Sequence, residues 1–204
     1  MMVSFFLALF LLFPAQQENE GLKGAWTAAP GFEPQAGRPP DVRIGKSVIV
    51  LRNRGMAVSK EKLTEGSVSL RWMTGFDTGA DSTYHTHLCV VLRTTGGRSK
   101  EWPHEIDSGV IVRLAADMVG VELKKSGEGS TQLIPVKDMD LSGERLISVA
   151  DKGDRIVVSV DGTVVLDGAI DPAFGGANRN AALYNREGVA NHLHLDVLTD
   201  VEAK

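Results

Sequence analysis

Short runs of β-branched and aliphatic residues alternate with polar residues along most of the chain. In SVSLRWM, for example, Val68, Leu70 and Trp72 alternate with serine and arginine, and MVGVELKK and HLHLDVLT repeat the pattern. A period of two places alternate side chains on opposite faces of a strand. About twelve such runs follow residue 42, and no ten-residue segment shows the 3.6-residue period of an amphipathic helix. The pattern predicts an all-β fold, a two-sheet antiparallel β-sandwich whose apolar strand faces form the core.

The clearest local signal is a hairpin in VVSVDGTVVLD. Asp161 and Gly162 separate two β-branched runs, and an Asp-Gly pair suits the two positive φ angles of a type I′ turn. The sequence therefore predicts a two-residue hairpin at this position.

The N-terminal region differs from the rest of the chain. Residues 5–13 read FFLALFLLF and are followed by a proline and by the polar segment QQENE, which predicts a signal peptide over 1–15 and a secreted or periplasmic protein with no transmembrane span after processing. An uncleaved membrane anchor is the alternative, because MMVS contains no lysine or arginine. Residues 16–42 are rich in proline and glycine, which predicts an irregular lead-in or linker before a single domain at 43–204.

Composition narrows the function classes. The 22 basic and 26 acidic residues give a net charge of −4, without the basic excess that nucleic-acid binding requires. Cys89 is the only cysteine, so the chain forms no internal disulfide. No nucleophile motif or phosphate-binding glycine loop is present, and no cofactor is predicted.

The C-terminal part of the chain resembles a known fold family. DKGDRIVVSVDGTVVLDG and NAALYNREGVANHLHLDVLTDV are similar to the closing half of concanavalin A-like lectin/glucanase jelly rolls, in particular the secreted family named for 3-keto-disaccharide hydrolases. The likeness extends over residues 42–201, and its specific part begins near residue 145. It implies a concanavalin A-like jelly roll with a carbohydrate-directed role.

The segment WPHEID looks like the start of the carboxylate motif of laminarinase-like glucanases of that superfamily. Glu105 and Asp107 would supply its first two members, but the last place falls on Gly109 or Val110. The second carboxyl group that glycoside hydrolysis uses is therefore missing. Asp107, Ser108 and Gly109 also form a turn signal, so we expect a connection between strands here and no glucanase activity.

The 3-keto-disaccharide hydrolase family offers a second comparison, at DSGVIVRLAADMVGVELKK. Its members have an Asn-Ser-Gly-Ile strand that ends in arginine and then a strand with Glu, Gln and Asp. The resemblance implies that Arg113 contacts substrate and that Glu122 is the acid or base of any hydrolysis. Lys124 stands where the Gln would be, and the Asp is absent. An alternative registration places Arg93 on the first strand.

Two His-x-His pairs give candidate binding residues, because each pair shares one strand face. His85, His87, His192 and His194 are predicted to line a polar, sugar-binding surface. Zinc binding by the two pairs together is the alternative if their strands are neighbours. Ordinary hydrogen bonding is the simplest interpretation, so no metal site is predicted.

The remaining candidates are two aromatic residues and one polar segment. Trp102 lies in a predicted loop and Tyr184 beside the NREG turn, where an aromatic ring could stack on a sugar. Asn185, Arg186 and Glu187 could bind sugar hydroxyls; alternatively, they are solvated residues of a hairpin turn.

These features predict an exported domain that recognises a glycan. The first alternative is a glycoside hydrolase acting on a 3-keto-disaccharide or a similar modified sugar. The second is a non-catalytic structural or adhesive module, because the fold alone does not determine function.

Overall fold

A computed structural model describes residues 22–29, 40–52, 54–62, 66–74, 87–100, 105–175, 179–187 and 193–198. For strand residues 52, 73, 74, 87, 186, 187 and 193–198 the description is of the backbone. Within the described ranges, one short helix, α1 (Leu22–Ala25), and fourteen strands are present. The strands form two antiparallel sheets of seven strands each. This is the two-sheet sandwich that the sequence predicted.

The front sheet contains the strands that position the candidate site. They are β1 (Trp26–Ala28), β4 (Met56–Ser59), β6 (His87–Thr94), β7 (Gly109–Ala115), β8 (Met118–Lys124), β9 (Ser130–Asp138) and β13 (Asn180–Glu187). Their order across the sheet is β1-β4-β13-β6-β7-β8-β9.

The back sheet covers one face of the front sheet. Its strands are β2 (Asp41–Ile44), β3 (Val48–Arg52), β5 (Gly66–Thr74), β10 (Gly143–Asp151), β11 (Arg155–Val160), β12 (Thr163–Ala169) and β14 (Leu193–Leu198). Their order is β12-β11-β10-β5-β14-β3-β2.

The main core lies between the two sheets and is built from the alternating apolar positions. Val68, Leu70 and Trp72 are at most 4% exposed, and Val119 and Val121 are fully buried, as the alternation predicted. Each fully buried aliphatic side chain contributes about 1.5–3 kcal/mol. Residues of both sheets share this cluster: Leu88, Val90, Val110, Val112, Leu114 and Leu183 from the front, and Ile49, Leu51, Ile147, Val149, Ile156 and Val158 from the back.

The predicted Asp-Gly hairpin is confirmed. Asp161 and Gly162 connect β11 to β12 with φ angles of +50° and +79°, the two positive values that a type I′ turn requires. The backbone N–H of Leu146, on the neighbouring β10, donates a hydrogen bond to the Asp161 carboxylate at 2.9 Å.

Two segments that begin in the predicted lead-in, residues 22–28 and 41–44, pack with the sandwich strands. Leu22 and Trp26 are 2% and 3% exposed and belong to the main core. Strand β1 pairs with β4, and β2 pairs with β3. The proline- and glycine-rich composition of 16–42 concealed these short apolar segments, which are ordered by tertiary packing.

A buried ion pair joins the two sheets near one end. The Arg93 guanidinium, at the end of β6, contacts the Asp151 carboxylate, at the end of β10, through Nε–Oδ2 at 2.6 Å and Nη2–Oδ1 at 2.7 Å. Both side chains are 6% exposed. Arg93 is therefore a structural residue, and the alternative registration that placed it in the functional strand is not supported.

Candidate functional site

The outer face of the front sheet carries a second apolar cluster. Its members come from β4, β6, β7 and β13 together with one loop residue, Ile106, and they are Met56, Val58, Cys89, Val91, Ile106, Ile111, Ala182 and Tyr184. All of them are at most 9% exposed. Because this cluster faces away from the back sheet, another segment must cover it.

The described part of the β6–β7 connection provides that cover. Ile106 forms an antiparallel bridge with Arg98, and the N–H of Asp107 donates to the carbonyl oxygen of Gly97 at 3.0 Å. Ile106 is fully buried against the second cluster. We call residues 97–99 and 105–107 the cover hairpin. Trp102 falls between these two segments in the sequence and is outside the described residues.

Two side-chain contacts anchor the cover hairpin to β8 and to the loop that follows it. The Glu105 carboxylate forms an ion pair with the Lys124 ammonium; Lys124 is fully buried and Glu105 is 17% exposed. The Ser126 hydroxyl donates to the Asp107 carboxylate at 2.9 Å. Glu105 and Asp107 thus lie in a connection, as predicted, and they serve as anchors.

Beside the cover hairpin, β7, β8 and β9 form a pocket of about 220 Å³. Arg113 and Glu122 line it from adjacent strands and form an ion pair through Nη1 and Oε1, with side chains 23% and 13% exposed. Gln132 pairs opposite Glu122 across β8 and β9. The other lining residues are Met118, Gly120, Val121, Ser130 and Val136.

Local irregularity between β8 and β9 shapes this pocket. The register shifts between Val119 and Val121 and again between Val121 and Glu122, as a β-bulge does. Gly120 lies opposite Arg113, and a Cβ atom there would be 3.1 Å from Val136 Cγ2. Glycine at position 120 therefore allows Val136 of β9 to approach β8 closely beside the ion pair.

The pocket contains both hydrogen-bond donors and hydrogen-bond acceptors. Arg113 Nε is buried and has no partner among the described residues, and guanidinium groups only donate. The Glu122 carboxylate accepts, and the Gln132 amide does both. Among the described lining residues, Glu122 supplies the only carboxyl group.

The structure brings together Arg113 and Glu122, the two residues that the resemblance implied. It does not place Tyr184 or Asn185 on an accessible surface, since they are 1% and 0% exposed. Tyr184 packs in the second cluster, so its ring is not available for stacking on a sugar. The Asn185 amide has no hydrogen-bond partner among the described residues.

The NREG segment is a strand over its described part, and the turn interpretation of Asn185, Arg186 and Glu187 is wrong. All three residues belong to β13, whose backbone forms antiparallel pairings with β4 and β6. For Arg186 and Glu187 the structure describes the backbone alone.

The described members of the two histidine pairs lie on strands of different sheets. His87 begins β6 in the front sheet, whereas His194 is in β14 in the back sheet. Their strands are thus not hydrogen-bonded neighbours, the condition on which a shared zinc site depended. His85 and His192 are outside the described residues, as are the side chains of His87 and His194.

The described ranges contain no group of three or more His, Cys, Asp or Glu side chains placed to hold a metal ion. No helix in those ranges has the length and apolar character needed to cross a membrane.

Comparison with known proteins identifies the fold. Carbohydrate binding module CBM66 from Bacillus subtilis is 13% identical, with a TM-score of 0.50 over 85% of this chain and 93% of that chain. A glycoside hydrolase family 16 endo-glucanase from Bacteroides ovatus is 11% identical, with a TM-score of 0.54 over 85% and 93%. The Emp46p carbohydrate recognition domain is 11% identical, with a TM-score of 0.51 over 86% and 87%. The fold is a concanavalin A-like jelly roll.

Sequence comparisons add no family to this result. No family model matches the chain, and no curated protein matches it. The resemblance to 3-keto-disaccharide hydrolases therefore stays a prediction.

Sequence reasoning missed several residues of the site. Gln132 and Ser130 contribute from β9, and Lys124 anchors the cover hairpin. The sequence marks Lys124 only as a departure from the family pattern. The one available signal for Gln132 was the turn SGEGS between two strand-like runs. Counting residues outward from that turn does not predict that Gln132 lies opposite Glu122, because the register shifts between β8 and β9.

Proposed function

We propose that the protein binds a carbohydrate in the pocket formed by Arg113 and Glu122. The observation that carries this proposal is the pairing of a guanidinium and a carboxylate in a cavity of about 220 Å³, beside the amide of Gln132 and the hydroxyl of Ser130. A sugar hydroxyl both donates and accepts hydrogen bonds. A donor-only group next to an acceptor-only group can satisfy both functions of adjacent hydroxyls.

The structural neighbours support a carbohydrate-directed role. Their names describe a carbohydrate binding module, a carbohydrate recognition domain and an endo-glucanase. Identities of 11–13% relate the fold alone, and one fold carries many functions. The binding residues are therefore argued from the pocket of this chain.

The same pocket favours recognition over hydrolysis. Glycoside hydrolases use two carboxyl groups, about 5–5.5 Å apart for retention of configuration and about 6.5–9.5 Å apart for inversion. Among the described residues that line the pocket, only Glu122 carries one. Hydrolysis of a 3-keto-disaccharide remains the second candidate, because Arg113 and Glu122, the residues implied by that resemblance, are ion-paired.

We also propose that the protein is secreted or periplasmic, on the basis of the signal-peptide pattern at residues 1–15. Trp102, His85, His87, His192 and His194 remain candidate sugar contacts. Replacing each of them by alanine tests that role. A non-catalytic structural or adhesive module is the interpretation to adopt if no sugar binds.

A glycan array tests the binding proposal with a matched control pair. Glu122→Gln removes the pocket carboxylate, whereas Glu144→Gln alters an exposed Arg–Glu pair with Arg71 on the back sheet, with Nη1–Oε1 at 2.9 Å. Hydrogen bonds to charged groups contribute about 1.5–3 kcal/mol, so Glu122→Gln should weaken binding about 10- to 100-fold. Glu144→Gln should leave it unchanged. Absence of binding to every sugar, or equal binding by both variants, would contradict the proposal.

Incubation with a 3-keto-disaccharide separates hydrolysis from recognition. If the protein is an enzyme, both monosaccharides appear, and Glu122→Gln stops their formation without changing the circular dichroism spectrum. Turnover that continues in Glu122→Gln would remove Glu122 as the acid or base.

A further inference from the structure

We infer that the pocket accepts the single terminal unit of a neutral glycan rather than an internal stretch of a chain. This inference rests on the proposed carbohydrate binding and names the class of ligand. It follows from what occupies the outer face of the front sheet, from the size of the pocket and from its charge.

The cover hairpin closes the outer face on one side of the pocket. Ile111, a member of the covered cluster, lies directly opposite Glu122 on the neighbouring strand. Lys124, which holds Glu105 of the cover hairpin, is two residues from Glu122 on β8. The outer face is therefore occupied by protein beside Glu122, on the side of Ile111 and Lys124.

The opposite side of the pocket is formed by β9, the last strand of the front sheet in the described part of the chain. An internal unit of a linear polysaccharide is linked at two positions and needs space for the chain on both sides. Here the chain would have to pass through Ile106 and its packing partners. A terminal unit is linked at one position and can enter from the β9 side.

The size and charge of the pocket point to the same ligand. Pockets for drug-sized ligands measure about 300–1,000 Å³, so the volume of about 220 Å³ suits one sugar ring. The charges of the described lining residues, Arg113 and Glu122, cancel. An acidic sugar would therefore gain no net electrostatic attraction from this lining, because the repulsion from Glu122 offsets the attraction to Arg113.

Binding measured against chain length tests this inference. The probes are gluco-, manno-, galacto-, xylo- and fructo-oligosaccharides of one to six units, with glucuronic and galacturonic acid as charged analogues. For each sugar that binds, affinity should reach its final value at one or two units and change less than twofold from two to six. A tenfold or greater gain between two and six units, or tighter binding of the uronic acids, would overturn the inference while carbohydrate binding stands. No binding to any probe would overturn both.

A blocking variant supplies the second measurement. Gly120→Val places a branched side chain beside Arg113, where even a Cβ would lie 3.1 Å from Val136 Cγ2. Gly129→Val is the matched control, because no atom lies within 4 Å of a Cβ at Gly129. Gly120→Val should abolish binding of single units and of six-unit chains alike, and Gly129→Val should change neither. Six-unit chains that still bind Gly120→Val would show that the chain is recognised elsewhere.

Discussion

Breaking the buried ion pair between Arg93 and Asp151 should remove a large part of the stability of the sandwich, and Asp151→Asn tests this. The pair links the end of β6 in the front sheet to the end of β10 in the back sheet through two contacts of 2.6 and 2.7 Å. With both side chains 6% exposed, water cannot replace the lost carboxylate.

The expected magnitude follows from this burial. Removing one partner of a buried ion pair costs about 3–5 kcal/mol, because the other charge stays buried and uncompensated. The total stability of a domain is about 5–15 kcal/mol, so the loss would be about a third to a half of a value near the middle of that range. Each kcal/mol lowers Tm by about 2–4 °C in a domain of 150–250 residues, which predicts a fall of about 6–20 °C.

An exposed pair of the same type provides the control. Arg155 Nη2 lies 2.8 Å from Asp167 Oδ1, with side chains 47% and 42% exposed, and exposed pairs contribute about 0–1 kcal/mol. Urea unfolding at pH 7, followed by circular dichroism, should show a much larger loss for Asp151→Asn than for Asp167→Asn. Equal losses would refute the reasoning.

A double replacement examines the other contacts of Arg93. The guanidinium also donates to the carbonyl oxygens of Asp171 at 3.1 Å and Phe174 at 3.2 Å, and to that of Gly153. Apolar replacement of an isolated buried pair is often neutral. Here Arg93→Met with Asp151→Leu removes those donors as well and should remain about 1–3 kcal/mol less stable than the wild type. A neutral result would mean that the carbonyl contacts add nothing.

Three further predictions concern Gly109, Asp161 and the anchor of the cover hairpin. Gly109→Ala should cost about 1–3 kcal/mol in urea unfolding, because φ is +148° and a Cβ would lie 2.6 Å from a methyl carbon of β6; an unchanged midpoint would contradict this. The hydrogen bond from the Leu146 N–H lowers the pKa of Asp161 below its usual range. The stabilisation from the ionised Asp161 carboxylate is complete above about pH 4 and is lost as the pH falls through the lowered pKa. The free energy of unfolding of Asp161→Asn should therefore vary less with pH in this range than that of the wild type. Equal pH dependence of the two proteins in urea unfolding would refute this. Glu105→Gln should destabilise the protein more than Lys124→Met, because only Glu105→Gln leaves the fully buried Lys124 ammonium without its carboxylate. The reverse order in thermal unfolding would argue against the Glu105–Lys124 pair as an anchor of the cover hairpin.

The features that the sequence predicted correctly are those that depend on neighbouring residues. A period of two places Val68, Leu70 and Trp72 on one strand face whichever strands lie beside it, and that face is buried. The Asp161-Gly162 turn likewise depends on the ability of these two residues to adopt positive φ angles. Local rules of this kind were sufficient for the fold class.

The order of strands was not predictable in the same way. β13 lies between β4 and β6, and β14 lies between β3 and β5, so each pairs with segments more than eighty residues away in the chain. Such pairings are selected by burial over the whole molecule, which no local pattern encodes. For this reason His87 and His194, whose segments look equivalent in sequence, lie on strands of different sheets.

Lys124 illustrates why some residues of the candidate site could not be predicted from the sequence. By comparison with the family that the sequence resembles, it is a lysine in place of a glutamine, which argues against the hydrolase activity that the resemblance implies. In the structure Lys124 holds Glu105 of the cover hairpin, and a glutamine, Gln132, lines the pocket from the next strand, opposite Glu122. A departure from a motif at one position thus does not remove a side chain from the site, because cross-strand pairing can supply it. If Gln132→Ala weakened sugar binding as strongly as Glu122→Gln, the adjacent strand would share in recognition; if it had no effect, the pocket chemistry would depend on β7 and β8 alone.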